Sequence, residues 1–150
     1  MSTMIQVTEP TMVLNEEVCK SNIARMAAKA KAANVVFRPH FKTHQSREIG
    51  EWFRASGVDK ITVSSLNMAM KFAEWGWNDI TVAFPVNCLE HEKINALAAK
   101  IRLNLLLVHS EGARQLSECL KYPVGVYLGV DTGYHRDGVD AGNYEKSNGS

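Results

Sequence analysis

Short apolar runs recur along this chain at intervals of about 20 to 25 residues, the length of one strand–helix unit. That alternation constrains the fold more than any other feature. The runs are Asn34–Phe37, Lys60–Ser64, Asp79–Phe84, Leu103–Val108 and Val124–Val130. Between them, apolar residues fall at helical spacing: Ile49, Trp52 and Phe53, then Leu66, Ala69, Met70 and Ala73, then Ile94, Leu97 and Ala98, then Ala113, Leu116 and Leu120. Residues spaced in this way share one face of a helix. An earlier helix has Asn15 as its cap, Glu16 and Glu17 at its positive end, and Ile23, Met26, Ala27, Ala30 and Ala33 as its stripe. Ser110 suits the cap of the last helix, and Gly57 and Gly76 suit helix ends. Strands that alternate with helices pair in parallel through right-handed crossovers.

The fold class is therefore α/β, with about five parallel βα units. Two architectures accommodate them. One is an open, flavodoxin-like sheet. The other is the opening part of a TIM-like (β/α)8 barrel, whose closed form takes about 200 residues or more. The chain has 150 residues, so length favours the open sheet. The end of the chain, Gly142–Ser150, is polar and reads as a frayed tail.

The formal net charge of +1 gives no basis for nucleic-acid binding. No apolar run approaches the roughly 20 residues of a membrane span, and MSTMIQVTEP lacks a signal-peptide layout. Cys19, Cys88 and Cys119 are widely spaced and odd in number, which argues against a disulfide framework and fits a reducing cytoplasm. Glycine-rich phosphate loops of the GxGxxG and GxxxxGK[ST] types are absent, as is a GxSxG elbow.

In parallel α/β folds, sites form at the carboxyl ends of the strands. Those ends deliver Arg38, His40, Lys42 and His44, then Ser64 and Ser65, then Pro85 and Asn87, then His109 and Ser110, then Asp131, Thr132, Tyr134, His135 and Arg136. Each group also has a structural reading. His40 and His44 could bond backbone carbonyls. They lack a third ligand nearby, so no metal site is assigned. Asp131 could pair with Arg136. Cys88 has only His91 beside it to activate it, and Met68 and Met70 read as core filler.

The stretches RPHFKTHQ and GVDTGYHRDGV carry a resemblance. They resemble the lysine and arginine motifs of the fold-type III pyridoxal-phosphate enzymes, in the branch of D-threonine aldolase and D-serine dehydratase, which shares the N-terminal barrel domain of alanine racemase. PTMVLNEEVCKSNIARMA, ITVSSLNMA and DITVAFPV look like the entry to the barrel and its second and third strands. Where that family usually has Gly and Glu after the second strand, Asn67 and Met68 stand here. The motifs favour the partial barrel over the open sheet.

The resemblance implies that Lys42 forms the internal aldimine with pyridoxal 5'-phosphate. Arg136 would bond the cofactor's phenolic oxygen, and His40 and Asp131 would orient the two. A pocket partly drained of water around Lys42 would favour its neutral, nucleophilic amine. The implied substrate is a D-amino acid or 3-hydroxy amino acid, and the reaction an aldol cleavage, dehydration or racemisation. Such enzymes are homodimers. They continue with three further βα units that hold the cofactor phosphate and with a C-terminal β domain, which in the lyase branch carries ligands for a divalent metal. Residues 1–150 correspond to the N-terminal part of the barrel domain, and this chain alone is expected to be inactive. The competing reading is a non-catalytic module that binds a small anion or a partner on an open flavodoxin-like sheet.

Overall fold

The computed structural model describes residues 7–140 and 142. Residues 143–150 of the expected polar tail lie outside the described residues. Helix α1 spans Glu16–Ala32, and Asn15 caps it by accepting a hydrogen bond from the Val18 amide. Helix α2 spans Arg47–Ala55 behind the cap Ser46. Strand β1 (Ile61–Val63) leads to α3 (Leu66–Glu74), capped by Ser65. Strand β2 (Asp79–Pro85) is followed by a 3₁₀ turn, Cys88–Glu90, and α4 (His91–Ala98). Strand β3 (Arg102–Leu107) leads to α5 (Ser110–Cys119) and then β4 (Gly125–Leu128). His109, not Ser110, caps α5: its Nδ1 accepts the Gly112 amide at 2.8 Å.

Strands β1 to β4 form one parallel sheet in sequence order, as the alternation requires. Two short strands, β5 (Val130–Asp131) and β6 (Val139–Asp140), pair in parallel beyond it. The expected first strand, Asn34–Phe37, does not form. Asn34 has a left-handed φ of 52°, and Val35 and Val36 are exposed. The chain joins the sheet edge a few residues later. The Thr62 amide donates to the Pro39 carbonyl, the Phe41 amide donates to the Thr62 carbonyl, and His40 pairs with Thr62. The cause is topological: the segment sits at an edge with β1 as its one strand neighbour, and β1 is only long enough to engage it from Pro39 onward.

The register sorts side chains onto two faces. Ile61, Val63, Ile80, Val82, Leu103, Leu105 and Leu107 point to the helix layer and form the core with Phe41, Phe72 and Trp77. The opposite face carries polar groups as well as Leu106 and Tyr127. One row across it is His40, Thr62, Thr81, Asn104 and Gly125. In a barrel that face is the interior.

Candidate active site

Lys42 sits in the turn that leaves the sheet edge, and its neighbours fix that turn from both sides. Phe41 is 0% exposed and packs against Phe53, Phe72 and Trp77 at ring separations of 5.0 to 5.2 Å. His44 stacks on Phe53 and meets the Phe41 ring edge-on. With both flanks anchored, the exposed Lys42 projects from a rigid base. The Lys42 amide donates to His40 Nδ1 at 3.3 Å, and Gln45, at φ 46°, donates from its side chain to the Lys42 carbonyl. Burial lowers the pKa of His40, and the Lys42 charge adds to the effect. Burial lowers that of His44 as well. Lys42 itself does not lie in the partly drained pocket that the sequence suggested, because the described residues leave it exposed.

Arg38 does not join this group. Its guanidinium reaches the Ile61 and Asp79 carbonyls at 3.3 and 3.4 Å and pairs with Asp79 Oδ1 at 2.8 Å. Ile61 and Asp79 open their strands, so Arg38 lies at the amino end of the sheet, opposite Lys42. Alternation along the extended chain puts Arg38 and His40 on the same face, but two residues of rise separate their levels.

At the far edge, Asp131 ends β5 and holds the following loop together. Its Oδ1 accepts the amides of Gly133 and His135 at 2.9 and 3.0 Å, and its Oδ2 lies 2.9 Å from His135 Nδ1. The backbone donors, from His135 and Gly133, hold its carboxyl below the usual carboxylate range. Asp131 therefore pairs with His135, and Arg136 pairs with Asp137 and lies over the Tyr134 ring. Sequence reasoning placed His135 on the rim but missed this pairing. The signal was there: an aspartate two residues before a glycine favours a turn closed by its own carboxylate. Among the described residues, Lys42 and His40 are brought together, and Asp131, His135 and Arg136 share a second loop, with no bond joining the two groups.

A cleft of about 560 Å³ lies between the end of α1 and the α2–β1 loop, and none of these groups lines it. A smaller one of about 230 Å³ opens at the carboxyl ends of β1 and β2, lined by Ser64, Ser65, Phe84, Pro85 and Asn87. Among the described residues, no three His, Cys, Asp or Glu side chains gather as a metal site would require, and no helix is long and apolar enough to cross a membrane.

Residues 14–147 match the family model for the alanine racemase N-terminal domain. The chain belongs to that family. It is 34% identical over 145 residues to the D-threo-3-hydroxyaspartate dehydratase of Delftia sp. (strain HT23), covering 93% of this chain and 38% of the relative. It is 31% identical to the D-serine dehydratase of Dictyostelium discoideum, covering 87% of this chain and 36% of that one. The fold superposes on the crystal structure of D-threonine aldolase from Filomicrobium marinum with a TM-score of 0.80 at 24% identity, over 85% of this chain and 36% of that one. The chain thus spans little more than a third of the length of these relatives and matches their N-terminal part. The parallel sheet is a partial TIM-like barrel, and the flavodoxin-like alternative is set aside.

Proposed function

We propose that this chain is the lysine-bearing part of a pyridoxal-phosphate-dependent enzyme that acts on a D-amino acid or 3-hydroxy amino acid. A lyase, as aldolase or dehydratase, is the first reading and a racemase the second. The observation that carries it is Lys42 itself, a primary amine held at the carboxyl end of the sheet on a turn clamped by Phe41 and His44. The chain's relatives by name are a D-threo-3-hydroxyaspartate dehydratase, D-serine dehydratases and a D-threonine aldolase, which supports the reaction class.

The residues present suit the cofactor chemically. Lys42 offers the amine that condenses with its aldehyde, and Arg136 offers a permanently charged donor for its phenolic oxygen. His40, Thr62 and Thr81 give the interior a polar floor one level below Ser64, whose small side chain leaves room above it. Asp131 fixes the loop on which Arg136 sits. When bound, the cofactor supplies an electron sink for the bond broken at the α carbon, and the protein orients that bond. His40 keeps the base of the Lys42 turn in place by accepting its amide. A homodimer, and divalent-metal ligands outside these residues, belong to the same reading.

The test is made on the longest natural polypeptide that contains residues 1–150. Addition of pyridoxal phosphate is expected to give a visible absorbance band, and borohydride followed by peptide mass analysis is expected to find the cofactor on Lys42. Lys42→Ala should abolish both the band and turnover of D-threonine, D-serine and D-threo-3-hydroxyaspartate. Cofactor trapped on another lysine would refute the assignment.

A further inference from the structure

We propose that His135 is a catalytic acid–base residue of the site that carries Lys42, with Asp131 holding its imidazole in one tautomer; this rests on the function proposed above. Four observations lead there. First, Asp131 Oδ1 is taken up by the Gly133 and His135 amides, which leaves Oδ2 for the imidazole at 2.9 Å. An ionised carboxylate only accepts, so Nδ1 carries the proton and the lone pair of the neutral ring is on Nε2. Second, His135 has φ 57°, a left-handed conformation that glycine takes freely and that Gly133 and Gly138 beside it also occupy. A non-glycine residue in this conformation is uncommon, histidine being among the types that adopt it, and such positions cluster at active sites. Third, the imidazole is 81% exposed, so burial does not account for it. Fourth, it lies next to Arg136 in the loop that follows β5, at the end of the fold where sites form.

The arrangement is a base oriented by a carboxylate. Nε2 takes a proton from the α-ammonium of the incoming amino acid. The N–H bond breaks with its electron pair left on the substrate nitrogen, and an Nε2–H bond forms. Asp131 stabilises the imidazolium, and the proton returns to the product amine as it departs. Aldol cleavage, β-elimination and racemisation all begin from that neutral amine, so the role holds for each.

The experiment uses the longest natural polypeptide containing residues 1–150, with D-threonine and D-threo-3-hydroxyaspartate as probes. His135→Gly is the main variant because glycine adopts φ 57° without strain, so loss of the fold is not at issue. Its Tm is expected to equal or exceed that of the wild type and its cofactor affinity to stay within about threefold, while kcat/KM falls about 100- to 10,000-fold and free imidazole restores part of it. Nitrogen NMR of the wild type is expected to show the Nδ1–H tautomer at His135, lost in Asp131→Asn. The proposal is overturned by His135→Gly retaining turnover, by a loss that imidazole does not restore, or by the proton residing on Nε2 in the wild type. A wild type that takes no cofactor at Lys42 sinks the functional reading and this one with it. An active wild type with an unaffected His135→Gly sinks this one alone.

Discussion

The polar groups that the fold buries are arranged in two different ways, and each has a measurable consequence. Asp79 is 13% exposed and accepts hydrogen bonds from Arg38 at 2.8 Å and from the Asn104 amide at 3.0 Å. Removing one partner of such a pair leaves an uncompensated charge, at a cost of about 3 to 5 kcal/mol. Asp79→Leu and Arg38→Met should each lose about that much in urea unfolding, and the double variant should lose clearly less than their sum. His40 and His44 are held neutral instead. Burial lowers both pKa values from the ordinary 6.5, and for His44 the Nε2 atom is buried with no hydrogen-bond partner. The unfolded chain then takes protons at a higher pH than the folded chain does. As pH falls below 6.5, the unfolded state gains protons that the folded state refuses, so stability drops until the folded pKa values are passed. Above that window the contribution is fully present. His44→Leu should flatten the acid limb of a stability-versus-pH curve, and an unchanged slope would show that His44 does not titrate in this way.

Elements are tuned to one another across the sheet, and Gly125 shows how closely. It faces Asn104 in the register of β3 and β4, and a Cβ there would collide with Asn104 Oδ1. Asn104 cannot easily move, because its amide is bonded to Asp79 and to the Ile80 carbonyl. Gly125→Ala should therefore cost about 1 to 3 kcal/mol, and Asn104→Ala in the same chain should recover part of it, both read from urea midpoints. The apolar runs around Thr62, Thr81 and Leu105 announced this sheet because burial against helices demands them, and the run around Val126 pairs beside them while staying exposed. The run Asn34–Phe37 has the same apolar character but does not pair: Asn34 is left-handed, and pairing begins only at Pro39. The α5 cap was misassigned because His109 and Ser110 are both able to accept an amide, and only the backbone path decides between them. Lys42 was legible through its motif. The placement of Arg38 was not, since its direction follows from where pairing starts, and charge alone left an Asp131–Arg136 pair open that the Asp131-to-Gly133 turn rules out by turning the carboxylate onto its own loop.

For the molecule as a whole, the decisive fact is that the polar interior row runs from His40 to Gly125 and the sheet does not close among the described residues. Apolar residues near both edges of the sheet are left uncovered. Val126 and Leu128 on β4 are each 51% exposed, and Val35 and Val36 at the other end are 60% and 68% exposed. Open strand edges beside apolar surface recruit other chains. A polypeptide of these 150 residues should therefore self-associate, and a Val126→Lys, Leu128→Lys pair should weaken that association in a light-scattering dilution series. The same openness bears on the cofactor. In β/α barrels the phosphate is held by loops after the seventh and eighth strands and by a short helix N-terminus, and the sheet here has four strands. Under the proposed function, condensation at Lys42 without a phosphate seat would be reversible and exposed to water. This polypeptide should then bind pyridoxal phosphate more weakly than micromolar, less than about 8 kcal/mol, and show no turnover. A polypeptide that carries these residues together with the rest of a barrel should bind the cofactor tightly and turn over substrate. A monomeric 150-residue chain that binds the cofactor at micromolar concentration would mean that Lys42, Arg136 and the interior row suffice to hold it, and that the cofactor site does not need the rest of the barrel.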